Sequence, residues 1–316
     1  MTVRIINPFN GLALQIEGGE WRDPEGNSFP VIAGVPRVCE AHNYTDSFGF
    51  QWNKFARTQM ESGQSERRLF TESGWRTDEL DDLDILEVGS GAGRFSRVIL
   101  ETTTARLWSV DYSTAVETNF HNNGEIAPDR FHLFQASVYE LPFADGSFDK
   151  VLCLGVLQHT PDFDKSVEAL VSKAKRGAEI VVDFYPIRGF WTKLHAKYLF
   201  RPLTRRLPHD KLLRLVETNV DWLIKAATFL RKAGLTAFAR FLPLVDLRTL
   251  PGDLTPDQRR QWAVLDTFDM FSPAFDRPQR VDAVARMFER HGASVSFAGY
   301  VDVDGMKVAV VRGRRR

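Results

Sequence analysis

The segment Asp84-Ile-Leu-Glu-Val-Gly-Ser-Gly-Ala-Gly-Arg-Phe-Ser96 decides the fold of this 316-residue chain. An apolar run ending at Val88 leads into three glycines at alternate positions, and helical spacing begins directly after them. Glycines suit a sharp strand-to-helix turn, because such a turn uses backbone angles that side chains resist. They also let a ligand lie against bare backbone at the positive end of the helix. The segment therefore predicts a ligand-binding turn in an α/β domain.

Three details of this turn argue against a dinucleotide. The spacing Gly89-x-Gly91-x-Gly93 differs from the G-x-G-x-x-G of pyrophosphate sites. Glu87 precedes the first glycine by two residues, where a carboxylate repels phosphate and suits a cationic amino-acid ligand. Asp111 closes the next strand, where an acid can accept hydrogen bonds from both ribose hydroxyls. The pattern indicates a positively charged nucleoside ligand.

Short apolar strands alternate with amphipathic stretches outward from the turn, which is typical of a parallel sheet with crossover helices. We expect a doubly wound, seven-stranded, mostly parallel sheet. The predicted strands are 84–88, 106–110, 131–135, 149–154, 179–184, 294–300 and 306–312, and the predicted helices are 93–101, 113–122, 163–175 and one ending at Gly292.

Composition divides the chain into four predicted domains. Residues 1–45 are rich in Gly, Pro and Asn and predict a β-rich segment, and residues 46–185 form the ligand-binding core. Residues 186–278 are a long helical insertion interrupted by prolines, placed where an α/β enzyme would build a substrate lid. Residues 279–316 complete the core.

With these motifs in order, the chain resembles the class I S-adenosylmethionine (SAM)-dependent methyltransferases, and within them the small-molecule enzymes of the ubiquinone/menaquinone-biosynthesis type. Leu86–Phe95 is similar to their first motif and Asp111 to their second. Ala136-Ser-Val-Tyr-Glu-Leu-Pro-Phe143 is similar to the third, and Val151-Leu-Cys-Leu-Gly-Val-Leu-Gln-His-Thr-Pro-Asp162 to the fourth. The resemblance implies a Rossmann-like fold, SAM as cofactor and methyl transfer as the activity.

The resemblance and the turn together give the candidate cofactor residues. One departure is Ser137, which stands where the family usually has an aspartate for the adenine amino group. In similar proteins the stretch around Gln51 and Trp52 folds over the cofactor, although these residues fit an ordinary apolar core equally well. The candidates are Glu87, Gly89, Ser90, Gly91, Gly93, Asp111, Tyr112, Ser137, Val138, Leu154, Gln51 and Trp52.

The N-terminal segment resembles a degenerate zinc ribbon. Phe29–Arg37 is similar to the end of such a ribbon, but Asn7-Pro-Phe-Asn10 stands where the first cysteine pair would be. Zinc needs four soft or imidazole ligands, and the region offers only Cys39 and His42. We therefore expect no metal, and a remnant held together by apolar packing.

His159 is the candidate catalytic base, needed only if the acceptor must lose a proton. The alternative is a structural histidine bonded to backbone. Tyr185, at the end of the fifth strand, would face the same cleft. Asp266, Asp269 and Phe271 precede the last helix and are candidate acceptor contacts, with a surface loop as the alternative.

The insertion is basic and aromatic: residues 186–250 hold thirteen Lys and Arg against four Asp and Glu. Solvated basic faces, a pocket for an anionic substrate and contact with a membrane surface are three open explanations. The interleaved aromatic residues are Phe190, Trp191, Tyr198, Phe200, Trp222, Phe229, Phe238 and Phe241.

Composition also indicates which partners and which cellular compartment to expect. Lys plus Arg and Asp plus Glu balance at 41 each, so we expect no nucleic-acid partner. Two distant cysteines and the lack of an apolar run long enough to span a bilayer favour a cytoplasmic protein. We expect methyl transfer to oxygen or carbon of a small biosynthetic acceptor, with an anionic and a lipid-like molecule both open as its chemical class. The alternatives are a non-catalytic SAM- or metabolite-binding protein and an enzyme that modifies a protein or tRNA. The acceptor and the oligomeric state stay open.

Overall fold

A computed structural model describes residues 3–40, 43–60, 63–187, 189 and 194–316, so His42, Phe190 and Trp191 lie outside the described residues. Four strands come first, strands and helices mostly alternate between residues 84 and 184, and helices predominate between residues 196 and 290. In chain order they are β1 (Gln15–Glu17), β2 (Glu20–Arg22), β3 (Ser28–Ile32), β4 (Val35–Val38), α1 (Asp46–Lys54), α2 (Gln64–Ser73), β5 (Asp84–Val88), α3 (Arg94–Thr102), β6 (Arg106–Asp111), α4 (Ala115–Asn123), β7 (Phe131–Ala136), β8 (Phe148–Cys153), α5 (Phe163–Lys173), β9 (Ala174–Phe184), α6 (Ala196–Thr204), α7 (His209–Lys232), α8 (Pro256–Phe271), α9 (Val281–Arg290), β10 (Ala293–Val303) and β11 (Met306–Arg315).

The described strands form one sheet in the order β1-β2-β3-β4-β7-β6-β5-β8-β9-β11-β10. It has eleven strands where the sequence predicted seven. The difference lies in residues 1–45, because β4 pairs in parallel with β7 through Arg37 opposite Gln135 and joins the small N-terminal strands to the central sheet. Strands β4 to β9 run parallel, and β11 lies antiparallel between β9 and β10. The predicted doubly wound α/β architecture is confirmed.

The central strands are continuous apolar runs because helices cover both faces of the sheet. All five residues of β5 are buried, and the strand lies between β6 and β8. One apolar core on one face includes Leu86, Val151 and Phe184, and the core on the other includes Ile85, Leu152 and Val181. Neighbouring residues thus point into opposite cores, as the period of a strand requires. This packing fixes the edge at which the candidate site lies.

The N-terminal segment is organised by a buried carboxylate. Asp23 Oδ2 accepts hydrogen bonds of 2.8 Å from the side-chain amides of Asn7, Asn10 and Asn27. Burial raises the pKa of Asp23, but these hydrogen bonds lower it well below its usual range. Apolar packing is present as well, because Trp21 and Phe29 pack against the core of the sheet, and the amide–carboxylate network joins the turns in addition. The described residues contain no cluster of three or more His, Cys, Asp and Glu side chains suited to a metal.

The insertion has an apolar core of its own, formed mainly by α7 and α8 and including Leu212, Val220 and Phe268. Thr255 begins α8 with a reciprocal capping box, in which its side chain accepts from the Gln258 amide and the Gln258 side chain accepts from the Thr255 amide. Phe50 of α1 packs against this core, so the insertion contacts the helix that follows β4 in the chain. Within the described part of the chain, no helix combines the length and apolar character that crossing a membrane requires.

Candidate functional site

The candidate residues follow the carboxyl ends of five neighbouring strands, the edge where ligands bind in open α/β sheets. The glycine turn follows β5, and Asp111 ends β6. Ser137 and Val138 follow β7, Leu154 follows β8, and Tyr185 follows β9. From β5 the chain adds β6 and β7 on one side and then β8 and β9 on the other. This change of direction between β5 and β8 leaves a crevice at the carboxyl ends of the strands.

The three glycines adopt left-handed backbone angles, with φ of 81° at Gly89, 54° at Gly91 and 87° at Gly93. A Cβ at Gly89 would lie 2.1 Å from the Val156 side chain, and one at Gly93 would lie 2.1 Å from Asn119 Oδ1. Both positions therefore exclude side chains by conformation and by close packing. Ser90 lies between them and accepts a hydrogen bond of 2.9 Å from the Asn119 amide.

Glu87 lies buried beneath the turn. Its Oε2 accepts hydrogen bonds from Ser96 Oγ at 2.5 Å and Ser109 Oγ at 2.8 Å, while Oε1 is buried and has no partner within the described chain. Burial raises the pKa of Glu87 to about 7, against the lowering effect of the two serines. A cationic ligand group near Oε1 would stabilise the ionised carboxylate, because an opposite charge favours ionisation.

Asp111 connects the end of β6 to the glycine turn. Its Oδ2 accepts a hydrogen bond from the Gly91 amide at 2.8 Å, and its Oδ1 accepts from the Ser113 amide at 2.8 Å and the Ser113 hydroxyl at 2.6 Å. Burial raises its pKa, and the hydrogen bonds oppose that effect. Oδ2 keeps one further acceptor site, and Oδ1 would accept a second hydroxyl in place of that of Ser113, so the group is able to bind two hydroxyls.

The remaining candidates line the crevice on either side. Tyr112 is half-buried, and its ring lies edge-on to Tyr44 with centroids 5.4 Å apart. Ser137 is buried, and its hydroxyl accepts from the Tyr139 amide at 3.2 Å, so this oxygen is already engaged in a local turn. Val138 and Leu154 are buried apolar side chains. Sequence reasoning missed Tyr44, which lies in no motif.

Helix α1 lies over the turn. The Nε1 of Trp52 would be 3.0 Å from a Cβ at Gly91, so the indole ring lies directly against that glycine. Gln51 is buried, and its Oε1 has no hydrogen-bond partner within the described residues. Trp52 also borders a small cavity together with Ser90 and Arg94. The two side chains are thus placed beside the cofactor turn.

His159 ends a short 3-10 turn after β8 and is buried. Its Nδ1 lies 3.1 Å from the Phe275 carbonyl oxygen. Its ring contacts those of Phe48 and Tyr185, with centroids 5.0 and 5.5 Å apart. Burial lowers its pKa, so the ring is neutral around pH 7.

Two of the three candidates from the insertion reach the same edge. The Tyr185 hydroxyl donates to Asp269 Oδ2 at 3.2 Å, and the Gln59 amide lies 3.5 Å from Asp266 Oδ1. Burial raises the pKa of Asp266 to about 7, and the neighbouring Asp269 adds to the effect. Phe271, in contrast, is a buried member of the apolar core of the insertion. The three lie on helix α8 rather than in the surface loop considered as the alternative.

Sequence reasoning missed a charged residue inside its own motif. Arg94 begins α3 directly after the glycines, and its Nη1 donates to Gln59 Oε1 at 2.5 Å. Its Nε and Nη2 are buried without a partner among the described residues. Burial, reinforced by the nearby Arg68, lowers its pKa to about 9. An arginine at the first helical position after the turn was the signal that could have identified it.

A second missed group joins the insertion to the core. Lys197 Nζ lies 2.5 Å from Asp276 Oδ2 and 4.2 Å from the centre of the Tyr185 ring. On the other side of the sheet edge, Arg68 bridges Glu72 and Asp183 at 2.6 and 2.5 Å. Arg68 and Glu72 have the i, i+4 spacing of a helix, but the other two pairs join residues that are far apart along the chain and are not readable from sequence.

Comparison with known proteins identifies the central part of the chain. Residues 86–182 match the family described as "Methyltransferase domain". The predicted SAM-dependent methyltransferase domain of class I, and SAM as its cofactor, are thereby confirmed. The matched residues include the glycine turn, Asp111 and His159.

Curated relatives and a solved structure show where similarity extends. The chain is 27% identical over 131 residues to a tRNA U34 carboxymethyltransferase of Nautilia profundicola, covering 38% of this chain and 44% of that protein. It is 31% identical over 229 residues to an uncharacterized protein of Synechococcus sp., covering 70% of this chain and 49% of that protein. A crystal structure of magnesium protoporphyrin IX methyltransferase from Synechocystis PCC 6803 with bound SAH has a TM-score of 0.48 at 16% identity, covering 86% of this chain and 97% of that chain. The chain spans less than half the length of these two curated relatives.

Proposed function

We propose that this chain transfers a methyl group from SAM to an oxygen or carbon atom of a small acceptor bound between the sheet edge and residues 186–278. The observation that supports it most is the meeting of His159, Tyr185 and Asp269 at the ends of β8 and β9. These groups can bind and deprotonate a polar acceptor, and they lie on the same sheet edge as the cofactor turn.

The residues of the turn fit the cofactor. Glu87 has one buried carboxylate oxygen available for the cationic methionyl end, and Asp111 has acceptor capacity for the ribose hydroxyls. Gly91 places bare backbone next to the Trp52 ring, and Gly89 packs closely against Val156. SAM supplies an activated methyl group whose leaving group is a neutral thioether. We assign Tyr112, Ser137, Val138 and Leu154 to the adenine side, with Ser90, Gly93 and Gln51 completing the site.

His159 is oriented to remove a proton from the acceptor. A carbonyl oxygen only accepts hydrogen bonds, so the contact with Phe275 requires the proton on Nδ1. The lone pair is then on Nε2. Because burial lowers the pKa of His159, that lone pair is available at neutral pH. Tyr185 and Asp269 would hold the acceptor, and Asp266 and Phe271 would support them from α8.

The four predicted domains enter this proposal as functional units. Residues 46–185 and 279–316 would carry the cofactor, and residues 186–278 would act as a lid that excludes water from the transfer. Residues 1–45 extend the sheet beyond β7. A site enclosed from water strengthens the electrostatic interactions of the groups within it.

A nucleic-acid acceptor is the second candidate. Relatives named tRNA U34 carboxymethyltransferase favour it, and they run against the expectation of no nucleic-acid partner that charge balance suggested. Each of these matches covers 38% of this chain, so the similarity supports the methyltransferase domain more directly than it supports the acceptor.

Calorimetry and a product assay test the proposal. We expect purified protein to bind both SAM and S-adenosylhomocysteine, and to release S-adenosylhomocysteine when the low-molecular-weight fraction of a cell extract is added. Release with purified tRNA alone would support the second candidate. Binding without release from either fraction would favour a non-catalytic SAM-binding protein and contradict methyl transfer.

A further inference from the structure

Exposed apolar side chains are more concentrated in the insertion than elsewhere in the described chain. Seventeen large hydrophobic side chains are exposed in the described residues, and ten of them lie between residues 199 and 241. Clusters of this kind mark interaction sites, whereas single exposed apolar residues are ordinary. We name this set the outer face: Leu199, Phe200, Leu203, Leu207, Leu215, Trp222, Phe229, Leu235, Phe238 and Phe241.

On helix α7 the exposed apolar side chains of the outer face are regularly spaced. Leu215, Trp222 and Phe229 are seven residues apart and are 52%, 52% and 69% exposed. A spacing of seven places them along one line of the helix. The opposite side, which includes Leu212 and Val220, is buried in the core of the insertion. The exposed stripe is therefore additional to the apolar surface that folding already uses.

A line of positive charge borders the stripe. Lys211, Lys225 and Lys232 also recur at multiples of seven, and all three are exposed. Within the described residues none has a carboxylate partner, whereas the nearby acids Asp210 and Asp221 are paired with arginines. The outer face thus presents apolar side chains next to uncompensated positive charge.

We propose that the outer face docks on the surface of an anionic lipid bilayer. A helix with an apolar stripe beside lysines lies in the interface plane, its apolar side chains among the lipid chains and its lysines at the headgroups. The 24 residues of α7 provide such a helix, and none of the described helices is suited to crossing the membrane. The proposal concerns peripheral binding and does not depend on methyl transfer.

The same features disfavour two other occupants. A second copy bound through antiparallel α7 helices would present the same patch twice, so the lysine flanks of the two copies would meet and repel. An RNA partner would be bound by arginines and stacking rings, but five of the ten outer-face residues are leucines, which do not stack on bases.

Vesicle sedimentation of the full chain tests the proposal. We expect binding to vesicles of phosphatidylcholine with phosphatidylglycerol, weak binding to phosphatidylcholine alone, and loss of binding as salt increases. Trp222→Glu with Phe229→Glu should abolish binding, and charge reversal of the three lysines should reduce it at least about tenfold, at about 1 kcal/mol per charge near the surface. Ile16→Glu is the matched control, because Ile16 is 65% exposed on β1 and should leave binding unchanged.

The outcomes separate the explanations. All variants must retain the wild-type unfolding temperature, since the altered side chains are exposed. No binding to the anionic vesicles, or equal loss in Ile16→Glu, would overturn the proposal. It would likewise fail if Trp222→Glu dissolved a dimer, or if lysine reversal removed tRNA binding from a protein that ignores vesicles. Asp111→Ala should bind vesicles normally. The vesicle experiment can therefore be interpreted even if the cofactor assignment fails.

Discussion

The glycine turn (residues 84–96) and the insertion (residues 186–278) differ in which side chains they bury and which they expose. In the turn, apolar side chains are buried and the backbone is fixed by close packing, as at Gly93 beside Asn119. In the insertion, Lys197 and Asp276 are enclosed with side chains 12% and 1% exposed, while Leu203 and Phe229 are each 69% exposed.

This contrast indicates what constrains the sequence of each region. The turn is constrained by its own backbone, so almost any substitution there should disturb the fold or the cofactor site. The insertion is constrained by what it contacts, both inside the cleft and on its outer face. Buried charges are costly unless they are paired or bind something, and exposed apolar patches mark contacts. The predictions below test the two regions against each other.

The largest effect is expected at Gly93. Gly93→Ala combines a left-handed φ of 87° with a Cβ placed 2.1 Å from Asn119 Oδ1. The backbone strain costs about 1–2 kcal/mol and the overpacking a further ~1–3 kcal/mol. We expect destabilisation of about 2–5 kcal/mol in chemical denaturation.

Gly155→Ala is the matched control for that substitution. Gly155 also has a positive φ, 76°, but a Cβ there would have nothing within 4 Å. The variant should therefore lose only the ~1–2 kcal/mol of backbone strain. Equal destabilisation of the two variants would show that close packing against α4 does not constrain the turn.

The next effect is the loss of cofactor binding in Asp111→Ala. Removing the carboxylate deletes the acceptor proposed for both ribose hydroxyls, and each such bond contributes about 1.5–3 kcal/mol. We expect SAM affinity to fall roughly a thousandfold by calorimetry. Asp111→Asn keeps one acceptor oxygen and should lose only part of this affinity. If both variants bound as the wild type does, the cofactor site would lie elsewhere.

Most of the core could be predicted from sequence because its signals are local. Apolar runs with flanking glycines placed β5 where the structure has it, and they placed Asp111 at the end of the next strand. The predicted helix 163–175 ends at Lys173 instead, because β9 begins at Ala174 and takes its last two residues. Local sequence patterns predict the presence of a helix or strand more accurately than they predict its end residues.

What could not be predicted depends on pairing between distant residues. The addition of β4 to β7 requires Arg37 to meet Gln135, 98 residues away. The network around Asp23 and the partners of Lys197 arise in the same way. Composition reveals the basic and aromatic character of residues 186–250, but only the packing of α7 shows which of those side chains face outward.

A smaller effect is expected where the two regions meet, at His159. If it removes a proton from the acceptor, His159→Ala should lower kcat about a hundredfold. In the wild type, kcat/KM should fall only below the ordinary histidine pKa near 6.5, because burial lowers the pKa of this ring. The variant should lack that acidic limb. A hundredfold loss that leaves the pH profile unchanged would identify a positioning role through Phe275.

Tyr185→Phe is the control for the histidine. It keeps the ring that contacts His159 and removes only the hydroxyl that donates to Asp269. We expect an increase in KM for the acceptor, with the acidic limb retained. A change in SAM affinity instead would place Tyr185 on the cofactor side of the cleft.

The last comparison concerns two carboxyls, the buried Glu87 in the turn and the half-buried Asp266 in the insertion. Burial raises the pKa of both Glu87 and Asp266 to about 7. A folded-state pKa above the unfolded value gives stability that is complete below about pH 4 and is lost as the pH rises through 7. Glu87→Gln and Asp266→Asn should therefore be more stable than the wild type at pH 8, by up to about 3 and about 4 kcal/mol respectively, and similar to it at pH 4.

Cofactor binding separates these two variants. Glu87→Gln loses the negative charge proposed to meet the cationic end of SAM and should bind it about tenfold more weakly, whereas Asp266→Asn should bind it normally. Stability measured against pH, with calorimetry at pH 8, checks both statements. Equal weakening in the two variants would mean that the cofactor senses the charge of the insertion as strongly as that of the turn. The division between a cofactor region fixed by its backbone and an acceptor region fixed by its contacts would then be wrong.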